Sequence, residues 1–337
     1  MIWLTWRQFR AQSVIAAAVL AVAVVLLAIT GRAIATMWTD SGAASCPATG
    51  DCSALQTFLH QAQDGWTMTA YILGSALIYL VPPLVGAFWG APLVARELET
   101  GTQRLIWNQS VTRARWLVTK LAILGAASMA FAGLLSLAAT WASHRLDTVG
   151  FNRLEPVLFG ARGIVPVAYA AFAFALGVIT GMVVRRTVPA MATTLAVYVG
   201  CVAAMALGLR AHLLPATHVL LPLDLEGSHP EIGINSQNGE MRIVGDLNVP
   251  GAWVLHNDTV TAAGQPFNGP ADLTVCGRNG SPDTCDAWIK SLNLQQDAVY
   301  QPAAHFWPLQ WAEAGLFLAL TALLVAFGFW WLRRRSA

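Results

Sequence analysis

Gly163-Ile164-Val165-Pro166-Val167-Ala168-Tyr169-Ala170-Ala171-Phe172-Ala173-Phe174-Ala175-Leu176-Gly177-Val178-Ile179-Thr180-Gly181-Met182-Val183-Val184 contains no Asp, Glu, Lys or Arg, meets Arg185-Arg186, and is followed by a second charge-free run over 187–209. About 20 apolar residues at the helical rise cross the hydrocarbon core of a bilayer. Two such runs joined by a pair of arginines read as two membrane spans with a tight turn between them. Working outward, charge-free windows recur at 11–31, 65–95, 121–143 and 314–332. Each exceeds what a buried core helix ordinarily needs, and six in one chain indicate six crossings. The 65–95 window is longer than one span, so a span plus an interfacial segment is expected there, kinked at Pro82-Pro83.

Composition agrees. Of the 337 residues, 56% are hydrophobic and 11% charged, against about 25% charged in soluble domains. The net charge of +2 gives no reason to expect nucleic acid as a partner. Six crossings put both termini on one side. With that side taken as cytoplasmic, 12 of the 20 Lys and Arg fall in only 44 inner residues, and the other 8 spread over 156 outer ones. The positive-inside rule favours this orientation, in a plasma membrane. Arg185 and Arg186 make the tight inner turn, and Arg333, Arg334 and Arg335 close the last span.

The expected fold is therefore an all-α polytopic membrane protein with six transmembrane helices. An interfacial helix occupies 1–12, where Trp3, Trp6 and Phe9 mix with Arg7 and Arg10. Spans one to five lie within 13–209, interrupted by an inner loop at 95–120. Residues 210–310 form a small mixed α/β extracellular domain, 311–332 the sixth span and 333–337 a cytoplasmic tail. Within 210–310, turn signals such as Asn238-Gly239 and Asn268-Gly269-Pro270 separate β-favouring runs at Met241–Val244 and Trp253–Leu255. Ser281 and Pro282 read as the N-cap and first residue of a helix reaching about Leu292.

Cys46 and Cys52 fall in the first outer segment and Cys276 and Cys285 in the last. Two close pairs on the oxidising face point to local disulfides, 46–52 and 276–285, with free thiols or cross-pairing as the alternatives. All seven histidines (His60, His144, His212, His218, His229, His256 and His305) lie on the outer side at scattered spacings. No metal site is expected from them. No paired-carboxylate, nucleophile-elbow or phosphate-loop pattern occurs, and without a Walker A motif the chain is not expected to bind ATP by that motif. An integral membrane enzyme would need ionisable groups within the spans. Glu313, at the edge of the last one, reads as a boundary residue that snorkels to water.

The inner loop is the informative stretch. It runs Ala95-Arg96-Glu97-Leu98-Glu99-Thr100-Gly101-Thr102-Gln103-Arg104-Leu105 and on to Lys120. It reads as a short polar helix, a break at Gly101, a second short helix capped by Thr102, and a new start at Thr112. Leu98, Leu105, Ile106 and Trp107 give it an apolar face suited to a soluble partner.

The run Arg96–Thr102 (R-E-L-E-T-G-T), the two short helices and the basic re-entry resemble the cytoplasmic coupling loop of type-2 ABC exporter permeases. Trp3–Arg10 (W-L-T-W-R-Q-F-R), Tyr300–Trp307 (Y-Q-P-A-x-x-F-W) and the ending Trp330–Arg335 (W-W-x-R-R-R) are similar to an actinobacterial branch of that family. The resemblance implies a permease homodimer in membrane lipid, bound to separate ABC ATPase subunits. Those subunits hold ATP and Mg, while this chain binds no cofactor. It carries ATPase coupling onto Arg96, Glu97, Glu99, Gly101 and Thr102, and a substrate path onto 68–90 and 189–209. The nearly charge-free spans suit an amphiphilic cargo. The outer domain is larger than in compact permeases of this kind. Its size and paired cysteines leave an alternative, a membrane-anchored sensor that captures a ligand outside.

Overall fold

The computed structural model describes residues 2–46, 52–63, 65–101, 112–149, 152–223, 231–234, 240–245, 247, 249, 251–270, 272–276 and 281–334. They form two compact units, Met1–Leu213 with Trp307–Ala337, and Leu214–Phe306.

The first unit is a helical bundle. Its main elements are α1 (Ile2–Asp40), α2 (Ser53–Gln63), α3 (Trp66–Val85), α4 (Ala91–Glu99), α5 (Arg113–Val149), α6 (Pro156–Phe159), α7 (Val165–Val184), α8 (Thr187–Ala204) and α11 (Phe306–Arg334). Six stretches are long and apolar enough to cross a membrane: Ser13–Asp40, Trp66–Glu99, Ala114–Asp147, Val165–Val184, Thr187–His212 and Ala303–Arg334. The chain is a multi-pass membrane protein.

Two expectations about helix boundaries change. Residues 2–12 form no separate interfacial helix but run unbroken into the first span. No glycine or proline precedes Gly31, so nothing in the sequence interrupts the backbone ladder. The 65–95 window likewise holds no detached interfacial segment. α3 continues through a π-helical turn, Gly86–Gly90, into α4. Pro82 and Pro83 lie inside α3, where they remove backbone donors just before the ladder re-registers.

α7 is the hub. Its buried residues, from Val165 to Met182, cover every face, as expected of a helix apolar all round. Glycines set how closely α7 and the α3–α4 run approach. A Cβ on Gly86 would lie 2.5 Å from the Ala173 carbonyl oxygen, and one on Gly90 2.7 Å from that of Phe174. Conversely, a Cβ on Gly177 or Gly181 would collide with the carbonyls of Gly86 and Ala91. Gly86-x-x-x-Gly90 thus faces Gly177-x-x-x-Gly181 backbone to backbone, the small-residue packing that apolar surroundings favour. Ile78, Val85, Leu117, Leu124, Phe174 and Val178 fill the core around this crossing.

The second unit contains an antiparallel sheet in the order β1 (Thr217–Pro222), β5 (Gln295–Gln301), β4 (Trp253–Val260), and a hairpin of β2 (Glu231–Ile234) with β3 (Met241–Val244). His218, Val299 and His256 share one row of the sheet. Helices α9 (Leu273–Cys276) and α10 (Pro282–Ser291) complete it. Ser281 caps α10 by accepting from the Thr284 amide at 3.3 Å. Met241, Ile243, Ile289 and Leu294 form the core. Both local disulfides are present, Cys46–Cys52 and Cys276–Cys285, and Cys201 is a free thiol. The turn signal at Asn238-Gly239 lies outside the described residues.

Candidate functional site

The end of α4 carries the sequence-predicted coupling residues. The last turn of α4 closes with the Thr100 amide and hydroxyl both donating to the Arg96 carbonyl, at 3.0 and 2.9 Å. Gly101 follows at φ 72°, a left-handed conformation that glycine adopts without strain. Thr102, and the second helix expected to begin there with Leu105, Ile106 and Trp107, lie outside the described residues.

The remaining candidates divide into two kinds. Arg96 is exposed and presents its charge to the surroundings. Glu97 does not: its Oε1 lies 2.6 Å from Lys120 Nζ, and the two side chains are 12% and 6% exposed. Lys120 also donates to the Leu93 carbonyl at 3.4 Å and sits 4.5 Å from the centre of the Trp116 ring. Glu97 therefore ties the end of α4 to the first turns of α5. Leu98, expected on a docking face, packs instead against the bundle core.

Glu99 ties α4 to a third helix. Its Oε2 accepts from the Thr187 amide at 3.1 Å and from the Thr187 hydroxyl at 2.7 Å. Those groups open α8, so a carboxylate from another helix caps it and meets the positive end of its dipole. The Arg185-Arg186 turn makes this possible: Arg185 is left-handed at φ 59° and Arg186 extended. Close packing of Ala91 and Ala95 with Ala190 holds α4 against α8.

A second polar cluster occupies the opposite end of the same bundle. Arg210 Nε and Nη2 meet Glu313 at 2.7 and 3.0 Å, with both side chains 0% exposed. Tyr169 donates its hydroxyl to the same carboxylate. Arg210 also donates to the Pro156 carbonyl at 2.8 Å. Nearby, Arg162 meets Asp147 at 3.0 Å, and Asp147 accepts from Tyr71 and Ser143. Gln310 accepts from the amides of Ile164 and Val165 and donates to the Phe159 carbonyl. These bonds clamp the connection between α5 and α7. That connection is buried at Leu154, Phe159, Ala161 and Arg162, so its polar groups need internal partners.

Glu313 is thus no snorkelling boundary residue. It is fully enclosed and ion-paired because Arg210, one span earlier, reaches it before water does. Lys120, Thr187, Arg162, Asp147, Arg210 and Glu313 were all missed as site residues by sequence reasoning. The available signal was position: most stand at the rim of a charge-free window.

The model of the ABC-2 membrane transporter related family matches residues 17–210, more than half of the chain. The chain belongs to that family. Neither a curated protein nor a solved structure matches it. Membership makes this ABC-2 chain a membrane transporter component, and the matched region overlaps the first five of the six candidate spans. Among the described residues, no group of three or more His, Cys, Asp or Glu is placed to hold a metal ion.

Proposed function

We propose that the chain is the permease subunit of an ATP-driven ABC exporter. In this reading two copies form the membrane path, and separate ABC ATPase subunits dock at the α4–α5 connection from the cytoplasm. Both termini share that side, and the Leu214–Phe306 unit lies outside. One observation supports the reading above others: Glu97 and Glu99, two residues apart at the end of α4, hold the beginnings of two different spans, α5 and α8. A displacement of the Gly101 turn by a docked ATPase is passed to both spans through short charge-assisted bonds. Arg96, exposed on the same turn, is the docking residue.

An amphiphilic or hydrophobic cargo fits this chain. Among the described residues the buried charges are already paired, as in Arg210–Glu313, Arg162–Asp147 and Lys120–Glu97, so the buried interior holds no open charge ready for a charged cargo. The test is co-purification of the full chain from its own membranes in mild detergent. Recovery of an ATPase with a P-loop, and ATP-dependent transport lost in the double variant Glu97→Ala/Glu99→Ala, is expected. A chain that purifies without any ATPase, with transport untouched in that variant, overturns the proposal. Loss of ligand binding on removal of 215–300, without dependence on ATP, would instead support the sensor.

A further inference from the structure

We propose that one water molecule is bound inside the bundle among Arg162, Ser75 and Thr30, and that it brings α1 into the polar clamp built on Arg162 and Asp147. This site is independent of the transport reading.

A cavity of 10 Å³ lies where α1, α3 and α5 meet Arg162. A space of about 10–15 Å³ is what a single water needs, so the volume excludes any larger ligand. Every lining residue except Gly74 is buried. Leu27, Ile34, Ala139 and Ala142 supply apolar walls. Thr30, Ser75, Ser143 and Arg162 supply the polar ones, and they are only 3%, 7%, 3% and 2% exposed. Groups so enclosed must find their partners inside the protein.

The balance of donors and acceptors selects the ligand. Arg162 Nε donates to Asp147 at 3.0 Å, and Nη1 donates to Ser75 Oγ at 3.3 Å and to the Ala161 carbonyl at 3.5 Å. Nη2 makes no hydrogen bond among the described residues. Ser75 accepts from Arg162, yet its own hydroxyl proton has no acceptor among the described residues. Other buried serines of the bundle do find one: Ser128 donates to the Leu124 carbonyl and Ser136 to that of Gly163. Two donors at the cavity therefore lack an acceptor, which is costly away from bulk water. Thr30 and Ser143 are complementary. Each has already given its proton, to the Leu26 carbonyl at 2.9 Å and to Asp147 at 2.6 Å, and each keeps a lone pair that can accept. A water that accepts from Arg162 and Ser75 and donates to Thr30 and Ser143 satisfies all four, within the range of about 2–4 bonds made by buried waters. A cation is disfavoured by the guanidinium charge beside it. The direct bonds of the clamp join α3, α5 and the α5–α7 connection; through the water, Thr30 adds the first span.

The experiment is a crystal or electron-microscopy structure of the full-length protein at a resolution that shows ordered waters. A density peak is expected at hydrogen-bond distance, about 2.7–3.2 Å, from both Arg162 Nη2 and Thr30 Oγ1. A map that resolves waters elsewhere in the protein and shows none here overturns the proposal. Thermal melts in mild detergent give a second readout. Thr30→Val keeps the branched shape and removes the acceptor, and Ser75→Ala removes a donor. No hydrogen bond joins Thr30 to Ser75, so coupling between them runs through the shared molecule. Each variant should lower the melting temperature, and the double variant should fall clearly short of the summed shifts, because either loss releases the same water. Strictly additive shifts overturn the bridge between α1 and the clamp. If either variant fails to fold, the map decides alone.

Discussion

Arg210 and Glu313, 103 residues apart, meet in a two-pronged ion pair from which water is fully excluded. The pair joins the end of the fifth span to the start of the sixth, and through the Pro156 carbonyl it also holds α6. Removing one partner leaves a buried charge without compensation, which costs about 3–5 kcal/mol. Arg210→Met and Glu313→Leu should each lower stability by that order in a denaturant titration of the detergent-solubilised protein. The double variant should lose clearly less than the sum of the two, because it buries no orphan charge. Strict additivity would mean that the two side chains act independently, against the geometry.

The spans were legible in the sequence because the bilayer imposes a local rule, about 20 residues without charge. The start of α10 was legible for the same kind of reason, since Ser281 and Pro282 act on the turn that contains them. The partners were not legible. An arginine at the rim of an apolar window reads identically whether it faces water or a carboxylate one span away. Glu313 read as a solvated boundary, Arg162 and Arg210 stand at the same kind of rim, and the pairing of all three depends on how the helices pack. Glu97 and Glu99 were visible as candidates, but their partners Lys120 and Thr187 lie 23 and 88 residues away. The facing glycines were written in plain spacing at 86, 90, 177 and 181, yet nothing local says which two helices they bring together.

Those glycines carry the second prediction. A Cβ on Gly177 would fall on the carbonyl of Gly86, and backbone cannot step aside as a side chain can. Gly177→Ala should destabilise the bundle by about 1–3 kcal/mol or more, the usual cost of overpacking. A Cβ on Gly200, also helical, would meet nothing within 4 Å. Gly200→Ala should therefore be neutral or stabilising, by up to about 1 kcal/mol. Thermal melts of the two variants side by side give the contrast.

The disulfides supply a third, which also tests the orientation. Cys276 and Cys285 close a loop with a separation of 9 residues. Replacing both by serine should cost the Leu214–Phe306 unit about 2–3 kcal/mol by the chain-entropy relation, seen as faster proteolysis within that unit. In intact cells a membrane-impermeant thiol reagent should label Cys46, Cys52, Cys276 and Cys285, and only after reduction. Labelling that requires permeabilised cells would place these segments inside and reverse the proposed topology.

The last prediction separates docking from transmission at the end of α4. Arg96 is exposed, so Arg96→Ala should weaken binding of the ATPase and leave the melting temperature of the permease unchanged. Glu97 is enclosed with Lys120. Glu97→Gln should leave ATPase affinity intact but lower permease stability by about 3–5 kcal/mol, since Lys120 then stays buried without its counter-charge; Lys120→Met in the same chain should restore part of that loss. Glu99→Gln weakens the cap on α8, because a neutral amide meets the helix dipole less favourably than a carboxylate. It should reduce the acceleration of ATP hydrolysis that the assembled complex shows over the isolated ATPase, while the complex still forms. Binding measured by surface plasmon resonance, melting by differential scanning fluorimetry and hydrolysis in proteoliposomes are three independent readouts. If Arg96→Ala and Glu97→Gln weaken ATPase binding equally and neither changes the melt, both residues face the partner, and the division between an exposed docking Arg96 and an enclosed transmitting Glu97 is wrong.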